Sequence, residues 1–143
     1  MNRMRTAIVA GLALFATPAS AADVLLQTVD LTDQGWSAEG GEVKLFRVTK
    51  MTTGNCKIEA VHYGETGRTT YRFIFSQRLN FAAKREYRYP ESIATMKKVE
   101  MKLVSEILLN SELGKEMLPM DFDTYKAFFD PAMLAACSSR KQG

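Results

Sequence analysis

Between residues 42 and 89 apolar and polar side chains alternate, and short turn-forming stretches interrupt the alternation. A period of two commits a chain to strands with one dry face and one wet face. Residues 43–50 (VKLFRVTK) are rich in strand formers, and Gly54-Asn55 supplies a turn after them. Residues 56–63 (CKIEAVHY) place Cys56, Ile58, Ala60 and His62 on one side, with Lys57 and Glu59 opposite. Residues 64–67 (GETG) form the next turn, and 69–75 bring Tyr71, Phe73 and Phe75 onto one face. In 79–89, the same reading puts Leu79, Phe81, Ala83, Arg85, Tyr87 and Tyr89 on the dry side, and Asn80, Lys84, Glu86 and Arg88 on the wet side. Turns this short between consecutive strands dictate antiparallel pairing. The expectation is a meander of about four strands: 43–50, 56–63, 69–75 and 79–89. Residues 23–34 fit neither period well and read as a short strand or arm, followed by a loop in which Trp36 tucks against the core.

After Pro90 the period changes. Ile93, Met96, Val99, Leu103, Val104, Ile107 and Leu108 lie along one helical stripe, which predicts a helix over 91–110. A rod of that length, about 30 Å, spans a four-stranded sheet. Residues 111–120 read as a linker or a weak helical turn ending at Pro119. A helix over 121–129 follows, with acids in its first turn. Asp130-Pro131 then opens a last helix over 131–137. Strands first and helices second is the segregated α+β pattern, with the helices on the dry face of the sheet.

The first 21 residues stand apart. A cationic start with Arg3 and Arg5, an apolar run over 7–16 and the small residues Ala19 and Ala21 form a secretory signal cut after Ala21. The run is about half the roughly 20 residues a membrane span needs. Ala22 follows the cut, so no lipid-bearing cysteine is expected there. Removal of 21 of the 143 residues leaves 122, a single small domain over 22–143. Loss of Arg3 and Arg5 lowers the basic count from 19 to 17 against 16 acids, so global steering toward nucleic acid is not supported. In an exported chain the two cysteines, Cys56 and Cys137, read as one disulfide tying the strands to the last helix.

Little in the chain points to catalysis. His62 is the one histidine. Six residues of strand separate it from Cys56 by roughly 20 Å, outside the reach a nucleophile and its base require. No glycine-rich phosphate loop, serine elbow or His-Glu-x-x-His occurs. One histidine and bridged cysteines leave too few soft ligands for zinc or copper. Asp121, Asp123 and Asp130 lack the glycine and closing glutamate of a calcium loop and read as helix-start acids. Neither a metal nor a cofactor is expected.

The remaining signal is charge. Arg68, Arg72, Arg78, Lys84, Arg85 and Arg88 face a single acid, Glu86, between residues 67 and 89. Arg85 falls on the expected dry side, where it must find an acid, an edge or a bulge. The others, Arg68, Arg72, Arg78, Lys84 and Arg88, form a candidate surface for carboxylates or phosphates, interleaved with tyrosines. Residues 111–130 hold five acids against two lysines and could cover that surface. The expected protein is an exported, monomeric, non-enzymatic binding or accessory protein whose partner is an envelope protein or an anionic cell-wall or lipid component. Two alternatives stay open. One is an inhibitor or immunity protein that inserts a loop, 64–68 or 51–55, into an envelope hydrolase. The other is a small hydrolase built on His62 and a carboxylate.

Overall fold

The computed structural model describes residues 23–35, 40–49, 55–90 and 101–138. The expected signal peptide, Trp36 and the first half of the expected 91–110 helix lie outside the described residues. Six strands form one antiparallel sheet: β1 (Asp23–Asp30), β2 (Gly41–Val48), β3 (Cys56–Tyr63), β4 (Gly67–Phe75), β5 (Leu79–Arg88) and β6 (Lys102–Leu108). Their spatial order is their sequence order, so every strand pairs with its neighbours in the chain. Two helices follow, α1 (Glu112–Lys126) and α2 (Pro131–Ser138). Among the described residues, no helix is long and apolar enough to cross a membrane.

The alternation in β3 does what its pattern dictates. Cys56, Ile58 and Ala60 are buried together with Val43 and Leu45 of β2 and Phe73 and Phe75 of β4. Both helices cover this face. Gly114, Leu118, Phe122 and Tyr125 recur at helical spacing and form the buried stripe of α1. Ser111 caps α1 by accepting from the Gly114 amide at 3.0 Å while its own hydroxyl donates to the Leu108 carbonyl at 2.7 Å. α2 brings Cys137 to Cys56, where the expected disulfide forms with a Cα separation of 5.5 Å. A disulfide and the lack of a spanning helix among the described residues are both compatible with export.

Three expectations about the elements are corrected, and a fourth, about parity, follows from the bulges. The sheet has six strands rather than about four, because β1 and β6 flank the predicted meander. Residues 102–108, expected within a helix, form β6 instead. Leu103, Val104, Ile107 and Leu108 keep helical spacing, but over so short a run the free edge of β5 decides the outcome by offering a hydrogen-bonding ladder. The third correction concerns 111–120, expected as a linker or a weak helical turn. α1 runs through it and past Pro119, whose cost of roughly 3 kcal/mol is offset by burial of Leu118, Phe122 and Tyr125.

The sheet carries three bulges. One falls between Leu25 and Gln27 on β1 and another between Leu103 and Ser105 on β6, so each edge strand is kinked. The third makes Asn80 the extra residue of β5. Phe75 pairs with Leu79, but Ile74 already pairs with Phe81. One extra residue exchanges the two faces of everything beyond it. Leu79 therefore packs on the core, while Ala82, Lys84, Glu86 and Arg88 point to the helix side and Phe81, Ala83, Arg85 and Tyr87 to the side without helices. The parity predicted for 81–89 is thus inverted.

Candidate functional site

The inverted parity redistributes the basic residues. Cross-strand register places Arg68 and Arg72 of β4 and Arg85 of β5 on the helix-free face. Lys84 and Arg88 lie on the helix side, and Arg78 sits in the 76–78 turn at the opposite end of β4 from Arg68. The five residues expected as one cationic surface do not form one.

Most of the charge on the helix-free face is matched within the sheet. Glu59 receives Arg72 at 3.0 Å and Lys57 at 3.4 Å, Asp23 holds Lys57 at 2.6 Å, and Glu106 holds Arg85 at 2.6 Å. Arg85 thus finds the acid that its charge demands, supplied by the strand expected to be helical. The acids of 111–130 are not what neutralises these arginines. A shallow cavity of about 270 Å³ lies on this face, bounded by Glu59, Arg72, Ala83 and Arg85.

On the helix side, polar groups gather where the cover of α1 ends. His62 Nε2 shares a hydrogen bond of 2.6 Å with the hydroxyl of Tyr125. The Tyr125 ring lies against Tyr71, with centroids 5.1 Å apart, and Lys84 Nζ stands 5.7 Å above the Tyr71 ring. Burial holds the His62 imidazole below its ordinary pKa, and the nearby Lys84 ammonium adds to the effect. Burial likewise raises the Tyr125 and Tyr71 phenols. Asp121 is raised by burial although Lys84 opposes the shift, and its Oδ2 is buried without a hydrogen-bond partner among the described residues. This carboxyl lies in the electrostatic reach of Lys84, not in hydrogen-bonding contact with His62.

His62 also borders a second cavity, again of about 270 Å³, at the end of the sheet formed by the β3–β4 turn. That turn is closed by the Gly64 amide donating to the Gly67 carbonyl at 2.9 Å. Register explains what the cavity contains. His62 pairs with Thr69, and Thr69 pairs with Glu86, so imidazole, hydroxyl and carboxylate stand in one row across β3, β4 and β5. Side chains directly opposite on adjacent strands have Cβ atoms about 5 Å apart. Arg88 lies on the same side as this row, and Arg68 borders the cavity from the helix-free face. Arg68 Nε is buried with no hydrogen-bond acceptor among the described residues, and its guanidinium lies 5.8 Å from the Tyr87 ring centroid. Among the described residues, the ion pair of Glu86 is with Lys84, at 3.7 Å.

Two of the five expected basic residues, Arg68 and Arg88, therefore border this cavity, from opposite faces of the sheet, and three do not. Sequence reading missed Thr69, Glu86 and Tyr125. A row of this kind is visible only once register is known, and the bulge at Asn80 hid the register of β5. No group of three or more potential metal ligands occurs among the described residues. The chain matches no family model, no curated protein and no solved structure.

Proposed function

We propose that this chain is an exported, non-enzymatic binding protein that holds an anionic group in the cavity beside the β3–β4 turn. One observation carries the reading. Arg68 and Arg88 border that cavity from opposite faces of the sheet, and the buried Arg68 Nε has no acceptor among the described residues. A buried guanidinium N–H without an acceptor is costly, and a carboxylate or phosphate oxygen removes the cost. Neighbouring arginines are a poorer choice, because Glu59 and Glu106 already occupy Arg72 and Arg85.

Retention of the exported protein on a carboxylated matrix at low salt tests the reading. Arg68→Ala combined with Arg88→Glu abolishes retention, whereas Arg72→Glu combined with Arg78→Glu leaves part of it. Equal loss from both pairs would overturn the assignment to this cavity.

A hydrolase remains the second reading, favoured by the presence of His62 and Glu86 in one cavity on either side of Thr69. Those two positions are two strands apart, roughly 10 Å. That distance is too long for direct contact and leaves room for a substrate atom between them. Turnover of a reporter ester or glycoside that Glu86→Gln abolishes would establish it.

A further inference from the structure

The end of the sheet beside the β3–β4 turn carries a local electrostatic conflict. Arg88 of β5 and Lys102 of β6 stand directly opposite each other on the helix side. Both are exposed, and neither has an ion pair among the described residues. Like charges in a directly opposed cross-strand pair repel and weaken the pairing. Arg72 and Arg85, by contrast, each reach a glutamate. Glu65 in the turn and Glu86 are the acids nearby, and Glu86 is already paired with Lys84 at 3.7 Å. An anion brought to Arg88 and Lys102 removes the repulsion between them.

The opposite face of the same strand ends is largely apolar. Register aligns Tyr63, Arg68, Tyr87 and Leu103 in one row across β3 to β6. Tyr63 is 41% exposed, Leu103 46% and Val104, the extra residue of the β6 bulge, 44%. The row crosses three strand spacings, roughly 14 Å, which is wider than one small anion. No small ligand reaches Arg88 and this row together, because they point to opposite sides of the sheet. An extended surface that meets the sheet end-on touches both. Tyrosine and aliphatic side chains suit the boundary between headgroups and acyl chains, and arginine and lysine beside them suit anionic headgroups.

Resting on the reading above that this end of the molecule takes anions, we infer that it docks on an anionic lipid surface. Lipid phosphates take Arg88 and Lys102 on one side of the sheet. Tyr63, Leu103 and Val104 settle into the headgroup boundary on the other.

Flotation of the mature protein with vesicles of phosphatidylcholine, and of an equimolar mixture of phosphatidylcholine and phosphatidylglycerol, tests the inference. Binding to the mixed vesicles at low salt is expected to exceed binding to phosphatidylcholine by about tenfold or more, and to fall as salt is added. Arg88→Gln combined with Lys102→Gln lowers the partition about thirtyfold, from the roughly fivefold that each surface cation contributes. The thermal midpoint of that variant stays level or rises, since the opposed charges are gone, so lost binding is not lost fold. Leu103→Thr combined with Val104→Thr keeps strand propensity and charge. It weakens vesicle binding and leaves retention on the carboxylated matrix unchanged.

Failure on mixed vesicles while the carboxylated matrix still retains the protein overturns the lipid assignment and leaves the anion reading standing. Tighter binding to poly-L-glutamate than to mixed vesicles does the same and marks an acidic protein as the partner. Failure on every anion overturns both. Equal binding to the two kinds of vesicle, or vesicle binding untouched by the Leu103 and Val104 substitutions, overturns the docking mode.

Discussion

His62 and Tyr125 share a 2.6 Å hydrogen bond across 63 residues of sequence, and it joins the outer end of β3 to the last turns of α1. Tyr125 is buried, so its hydroxyl depends on this contact and on the neighbouring Tyr71 for satisfaction. Tyr125→Phe removes the hydroxyl and leaves His62 Nε2 without that partner, at an expected cost of about 1–2 kcal/mol. Urea unfolding of the two proteins measures it, and an unchanged midpoint would show that water serves His62 equally well.

The same histidine sets a pH dependence. Its folded pKa lies below the ordinary 6.5, so between the two values the unfolded chain binds the extra proton. Stability is therefore complete above pH 6.5 and declines as pH falls through the window beneath it. Asp121 works in the opposite direction. Its carboxyl is raised above 3.8, so lowering the pH through the carboxylate range favours the folded state at that site. Thermal midpoints of His62→Gln across pH 4.5–7.5 should lose the decline just below 6.5, and Asp121→Asn should steepen the net fall in more acid solution.

Cys56 and Cys137 lie 81 residues apart in sequence. Closing so long a loop restricts the unfolded chain by roughly 4–5 kcal/mol on the chain-entropy model. Replacing both cysteines with alanine should lower unfolding stability by that order, and added reductant should reproduce the effect in the native protein without further loss in the variant.

Gly67 opens β4 where the chain leaves the cavity's turn. A Cβ there would run into the carbonyl oxygen of Tyr87 and the Cα of Arg88. Backbone must move to admit it, so Gly67→Ala is expected to destabilise by about 1–3 kcal/mol and to weaken anion binding, because Arg68 and Arg88 flank the displaced ladder. Thermal melting and calorimetry on the same sample test both halves.

Arg72 is the control for all arguments from charge. It is about half exposed and paired with Glu59 at 3.0 Å. Arg72→Ala should cost no more than about 1 kcal/mol and leave the affinity of the β3–β4 cavity for anions unchanged, as chemical denaturation and titration would show.

Alternation announced β3 correctly because its apolar side is unambiguous: Cys56, Ile58 and Ala60 are all buried. The disulfide and the last helix were also legible, since an even cysteine pair and Asp130-Pro131 are local signals. β5 was misread for a definite reason. Phe81, Ala83 and Tyr87 alternate as a buried face would, yet the extra residue at Asn80 turns them away from the helices and leaves Ala82 to fill the core. β6 was misread because its helical spacing is overridden by the sheet edge beside it, a pairing the local pattern does not encode. Both errors fell on the candidate site. Glu86 and Thr69 share a row only through pairings that no local pattern encodes, whereas the clustering of arginines near them was plain in the chain.

A sheet whose strands lie in the order of the chain has a bearing on how the protein can be made. Each hairpin can close as soon as its second strand emerges, with no earlier segment held waiting for a distant mate. The covalent link that spans most of the described chain needs α2, so it can form only after Cys137 has appeared. Pairing of the early strands therefore does not wait for oxidation, and a product truncated before Cys137 would carry its first thiol unlatched.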